Sequence, residues 1–192
     1  MVLKWGSTTV TAVKWGSTTC TAVYWGSTKI FPDSPFAILT SIWTGYQIWY
    51  NSGWKYGNQN SSGAVYGSNT MATVSGKVLT ANYVSSSTCQ GQASLVTSSK
   101  VTCSGTITAT VNLTTYKKNC TIYLKYGASL PNTATTATST DPWSSWTNAK
   151  TVSPTATGTQ TASASISGTY YLCVQLQAGS GGNVIGTVTG LT

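Results

Sequence analysis

Three near-identical decapeptides open the chain and constrain its N-terminal end more tightly than any other feature. Lys4-Trp5-Gly6-Ser7-Thr8, Lys14-Trp15-Gly16-Ser17-Thr18 and Tyr24-Trp25-Gly26-Ser27-Thr28 recur at a spacing of ten residues. Gly-Ser between β-prone residues is a two-residue hairpin signal, with glycine at the first central position as a type II′ turn requires. Residues 8–15 and 18–25 are therefore predicted to be strands of a tight meander. With the turn at Gly16-Ser17, Trp15 falls opposite Thr18 and Val13 opposite Cys20. The same count at Gly26-Ser27 groups Val23, Trp25, Thr28 and Ile30 on one face, because strand side chains alternate with period 2.

On the shared strand 18–25, Cys20 and Val23 differ in parity, so successive hairpin tips carry their apolar clusters on opposite sides of the ribbon. Each tryptophan offers roughly 150–250 Å² of burial, and leaving all three exposed would exceed what soluble monomers tolerate. Either the ribbon packs on the rest of its own chain or it docks into other subunits. The two-sided pattern fits docking better, through Trp5, Val13, Trp15, Val23, Trp25 and Ile30.

Composition narrows the chemistry. The chain has 192 residues, 40% hydrophobic and 11% aromatic, enough for a core, but only 6% charged. Threonine, serine and glycine with scattered Val, Ile and Tyr make an all-β composition rich in turns. There is no arginine, glutamate or histidine; the ten basic residues are lysines and the two acids are Asp33 and Asp141. General acid–base catalysis leans on histidine or on a pair of tuned carboxylates. Histidine is absent, and each aspartate stands beside a proline in a turn-forming context. The chain is therefore not expected to be an enzyme.

Five cysteines (Cys20, Cys89, Cys103, Cys120 and Cys173) form no C-x-x-C pair, so neither a metal nor another cofactor is expected. Met1 to Trp5 contains no basic stretch followed by an apolar run, so no secretory signal is expected. The cysteines are then expected to be reduced, buried small hydrophobes of a protein made in a cytoplasm. No apolar run approaches a membrane span. The net charge of +8 raises nucleic acid as a partner, but specific readers use arginine forks. Scattered lysines fit a solubilised β surface better.

Along the chain, Phe31-Pro-Asp-Ser-Pro-Phe36 reads as a boundary, because two prolines block ladder pairing. Residues 34–71 are aromatic-dense, punctuated by glycines, and read as an oligomerisation or neck segment. Residues 72–192 read as a sandwich. Ile107, Ala109, Val111 and Leu113 share one face, as do Cys120, Ile122, Leu124 and Tyr126, and then Tyr170, Leu172, Val174 and Leu176. Gly127 through Trp143 reads as a partly irregular loop, and Val184 to Leu191 as a final strand.

Two resemblances follow from these residues. Ser163-Ala-Ser-Ile-Ser-Gly-Thr-Tyr-Tyr-Leu-Cys-Val174 is similar to the E-to-F corner of immunoglobulin-like and fibronectin-type domains, with Tyr171 two residues before Cys173. On that likeness 104–113 resembles strand B, 120–126 strand C, 169–177 strand F and 183–189 strand G. Strand B has no central cysteine and strand C no tryptophan, so the antibody-type disulfide core is not implied. The tandem aromatic-Gly-Ser-Thr units, ending Val23-Tyr-Trp-Gly-Ser-Thr-Lys-Ile30 before a proline, resemble hairpin repeats of virion proteins of tailed bacteriophages, especially phages of gut Bacteroidales including the crAss-like group. That likeness implies an all-β virion component, assembled in the host bacterial cytoplasm. Residues 1–33 would attach it to capsid or tail proteins and the sandwich would project. It further implies a head fibre or capsid decoration protein, or alternatively a tail or baseplate component, forming a homodimer or homotrimer. A different class remains open: a carbohydrate-binding module or adhesin that stacks host glycans on Trp43, Trp49 and Trp54 or on Trp143 and Trp146.

Overall fold

The structure, a computed structural model, describes backbone pairing in short segments between residues 4 and 31 and at 58–60. It describes residues 39–57, 63–131 and 139–192 in full. No α-helix occurs among the described residues.

The N-terminal repeats form three hairpins: β1 (Lys4–Trp5) with β2 (Thr8–Thr9), β3 (Lys14–Trp15) with β4 (Thr18–Thr19), and β5 (Val23–Trp25) with β6 (Thr28–Phe31). Trp5 pairs with Thr8, Trp15 with Thr18 and Trp25 with Thr28, the register that a two-residue turn dictates. Two details differ from expectation. A bulge between Val23 and Tyr24 pairs Val23 with Phe31, not Ile30. The hairpins also stand as three separate two-stranded sheets, with no pairing between them among the described residues; the interiors of the two predicted strands, 10–13 and 20–22, lie outside the described residues. Val13 lies outside the described residues. For Trp5, Trp15, Val23, Trp25 and Ile30 only the backbone is described.

The rest is one sandwich. Its first strands are β7 (Leu39–Tyr50), β8 (Gly53–Asn60), β9 (Ala64–Tyr66), β10 (Asn69–Ser75), β11 (Val78–Ala81) and β12 (Tyr83–Val84). After a 3-10 turn at Ser85–Ser87 come β13 (Cys89–Thr97), β14 (Val101–Thr115), β15 (Thr121–Gly127), β16 (Thr147–Val152), β17 (Gly158–Gln177) and β18 (Val184–Leu191). All twelve belong to one antiparallel hydrogen-bonded network. β17 makes this possible. Its first part, to Tyr170, pairs with β14, and its last part, from Tyr171, pairs with β13 and β15. One layer is thus β9-β10-β11-β18-β14-β17 and the other β8-β7-β13-β17-β15-β16, with the short β12 also paired to β13.

The alternating residues behave as their period requires. Ile107, Ala109, Val111 and Leu113 of one layer share a single core with Leu95, Ile122, Leu124, Leu172, Val174 and Leu176 of the other. The layers press closely: a Cβ on Gly186 of β18 would lie 2.9 Å from Leu113 and Val111 and 3.5 Å from Leu176.

Three expectations need correcting. The 71/72 boundary does not divide the structure, because β7 pairs with β13 from Ile48↔Cys89 to Leu39↔Thr97 and places Leu39, Tyr46 and Ile48 in the common core. The E-to-F corner is not a turn between strands. β17 runs through it unbroken: Gly168, whose φ of +126° suits glycine and whose missing Cβ leaves room for the Tyr170 ring, pairs with Cys103 inside the strand. Finally, the last strand does not lie beside strand F. β18 pairs with β14 and β11, and the place next to the end of β17 is filled by β13, which precedes β14 in the chain.

The four described cysteines, Cys89, Cys103, Cys120 and Cys173, are free and buried. Burial pushes the thiols of Cys89 and Cys173 up to about 12. A thiol whose folded pKa exceeds its unfolded value near 9 contributes stability in full below pH 9 and loses it as pH rises toward 12. The thiols' contribution to the urea midpoint, read as the difference from a Cys89→Ala, Cys173→Ala variant, is therefore expected to stay level to about pH 8.5 and fall above it. The native thiols should resist a disulfide reagent that titrates them at once in urea.

Candidate functional site

The core-facing parity of the second layer leaves an opposite parity on its outer face. In β13 the outward residues are Gln90, Gln92, Ser94 and Val96; in β17 they are Tyr171, Cys173, Gln175 and Gln177; in β15 they include Tyr123 and Lys125. Pairing sets them in rows: Gln92 opposite Gln177, Ser94 opposite Gln175 and Val96 opposite Cys173, with Lys125 beyond Cys173. β7 adds Gln47 opposite Gln90 and Trp43 opposite Ser94. β8 adds Tyr56 opposite Gln47 and Trp54 opposite Trp49. The face divides into a covered half and an open half.

The covered half lies under the segment after Pro142. Asp141 Oδ1 accepts the Trp143 N–H at 2.9 Å and its carbonyl accepts the Ser144 N–H at 3.0 Å, which winds the chain into a turn. Trp146 N–H then donates to the Trp143 carbonyl at 2.9 Å. The two indoles meet edge to face, with centroids 5.1 Å apart, and pack on Val96 and Cys173 with Trp43 and Tyr171 at the margin. Gly127 admits them, since a Cβ there would lie 2.6 Å from the Trp146 ring.

Beneath this lid Lys125 is only 6% exposed. Its Nζ lies 4.7 Å from the Tyr123 ring centre and 4.9 Å from that of Trp143. Burial pulls the amine below the usual lysine range; the nearby Cys173 and Asp141 oppose that shift. Gln175 Nε2 donates to Ser94 Oγ at 3.0 Å and the Leu172 N–H to Thr97 Oγ1 at 3.1 Å. Gln175 Oε1 and both indole Nε1 groups are buried with no hydrogen-bond partner.

The open half is built from amides and aromatics. Gln47 Nε2 donates to Gln90 Oε1, which also accepts from Gln177 Nε2 at 3.0 Å. Gln92 Nε2 donates to Gln47 Oε1 and Gln177 Oε1, each at 3.2 Å. Beyond them Trp49 and Trp54 stand edge to face at 5.3 Å, and Trp49 is 48% exposed. The intervening turn, with Asn51 and Ser52 both at positive φ, holds Tyr50 in the open, and Lys55 Nζ lies 4.9 Å from its ring centre.

The five tryptophans expected to form a stacking or interface surface thus separate. Trp143 and Trp146 are buried and cannot be an exposed platform. Trp43 sits at the border, and Trp49 and Trp54 reach the open half. Sequence reasoning missed the four glutamines and Lys125. Outward parity on strands with buried alternate positions was their only signal, and it required the pairing partners.

No protein-family model matches the chain, and no curated protein matches it. Among solved structures it is similar to the adhesin domain of Epf from Streptococcus pyogenes, at 11% identity and a TM-score of 0.46, over 77% of this chain. The likeness spans 57% of that domain's length and says nothing about a ligand or partner for this chain.

Proposed function

We propose that the chain is a structural component of a virus particle, held by its N-terminal hairpins and projecting the sandwich. A head fibre or capsid decoration protein of a tailed phage fits best, with a tail or baseplate position as the variant of the same reading. The carrying observation is the form of the N-terminus: three hairpins of identical tryptophan–threonine register, each pairing, among the described residues, only within its own two-stranded sheet. Among the described residues none of their strands pairs with the sandwich. An isolated two-stranded hairpin is marginal in water, so three in a row call for a surface to fold against. Capsid or tail proteins, or neighbouring copies in a dimer or trimer, would supply it.

The chemistry is in keeping with a non-catalytic role. Asp141, the one carboxylate side chain among the described residues, is engaged in capping the turn at Trp143. The test is particle incorporation. The double variant Trp15→Ala, Trp25→Ala is expected to fold with an unchanged sandwich melting point, yet to be lost from purified particles. Incorporation at the unaltered level would refute the attachment role.

A further inference from the structure

We propose that the open half of the outer face binds an uncharged glycan chain, a function independent of how the N-terminus attaches. A pyranose ring offers a flat C–H face and a rim of hydroxyls, so it is recognised by aromatic planes beside groups that both donate and accept hydrogen bonds. Trp49, Trp54 and Tyr56 supply the planes, and Gln47, Gln90 and Gln177 the amides, on adjoining rows of one face.

The hydrogen-bond arithmetic gives the face a direction. Among the described residues the amide network uses Gln90 Oε1 twice as an acceptor and draws on none of the Gln90 N–H donors. Half-exposed Gln90 therefore keeps two donors for an incoming hydroxyl oxygen. The network also fixes the side-chain amides before any ligand arrives, which removes part of the entropy of binding.

Other occupants match less well. A second copy of the chain would want an apolar centre, whereas this face has glutamines there. A single-stranded nucleic acid would stack too, but it needs a track of cations, and the amide rows are neutral. An anionic glycan meets the same mismatch.

The experiment uses the full chain, with tryptophan fluorescence and calorimetry against cellohexaose, xylohexaose, mannohexaose and maltohexaose. Hexagalacturonate and a dT oligonucleotide serve as charged comparators. At least one neutral hexasaccharide is expected to shift the emission, with an affinity insensitive to salt. Trp49→Ala and Gln90→Leu should each weaken it about tenfold or more, which is about 1.4 kcal/mol, with the variants still folded at the assay temperature. The proposal is overturned if all four neutral sugars give no response at millimolar concentration, or if the response survives both substitutions. It is equally overturned if only the charged comparators bind, with salt-dependent affinity, or if Trp49→Ala merely dissociates an oligomer.

Discussion

Gly91→Ala is expected to abolish folding or to lower stability by more than about 4 kcal/mol, although it adds a single methyl group. A Cβ at Gly91 would stand 1.8 Å from the Met71 carbonyl oxygen, 2.7 Å from its carbon and 3.0 Å from the Asn82 nitrogen. All three are backbone atoms, so no rotamer change relieves the clash. The strand also cannot step away. The Gly91 N–H donates to the Asn82 carbonyl at 2.7 Å, and the Gly91 carbonyl accepts the Ala178 N–H at 3.0 Å. Asn82 N–H in turn donates to the Met71 carbonyl at 2.7 Å. β13 is thus set against Met71 in β10 of the other layer and bonded to Asn82, where the chain leaves β11 for β12, and the absent side chain sets their separation. Gly53→Ala is the matched control, since a Cβ there has nothing within 4 Å and the residue has no positive φ. Urea denaturation of both variants decides the matter. If Gly91→Ala unfolds within a few tenths of a molar of the unaltered protein, the layers do not meet there as described.

How far this architecture was legible depends on the range of the signal. Ile107 to Leu113 and Leu172 to Leu176 announce buried faces because alternation is local, and Trp15 finds Thr18 because a two-residue turn fixes its own register. The placement of β13 and β18 is another matter. Both alternate adequately, and nothing in either says which edge it will join; that choice belongs to the packing of the whole sandwich. The segment Ser163 to Val174 resembles a corner between strands, yet a glycine at positive φ also sits within an unbroken strand, and only the pairing of β17 on both sides distinguishes the two. The outer face is the extreme case. Gln47 and Gln90 are separated by 43 residues, and Gln90 and Gln177 by 87, so their network exists only once three strands are in register. Trp143 and Trp146 sit in an irregular stretch with no period, and their burial depends on the space at Gly127.

Trp143→Ala is expected to lower stability by about 3–5 kcal/mol, the range for losing a buried tryptophan. The indole is 4% exposed and fills the space over Val96 and Cys173, so its removal opens a gap that a short turn cannot close. It also lets water reach Lys125. With solvation restored, the Lys125 amine should return toward its ordinary pKa, and Cys173 should lose its protection and react with a thiol reagent in the native state. Lys125→Met separates the ring's packing from its interaction with the cation. The methionine keeps the length of the side chain, forfeits a cation–π term of about 0.5–2 kcal/mol, and removes the cost of burying an ammonium. The lowered Lys125 pKa says that this environment disfavours the charge on balance. Lys125→Met should therefore be neutral or stabilising at pH 7, where Trp143→Ala is plainly destabilising. The sign with pH follows from linkage. In the window below 10.5 and above the folded pKa the unfolded chain binds more protons at this lysine, so the protein with Lys125 gains stability relative to Lys125→Met as pH rises through it. The cysteines lose stability in part of the same range but are common to both proteins, so they cancel in the difference. Paired urea titrations from pH 7 to pH 10 measure it. A difference that stays flat, or moves toward the methionine variant, would mean that Lys125 is solvated and that the tryptophan pair does not seal the face.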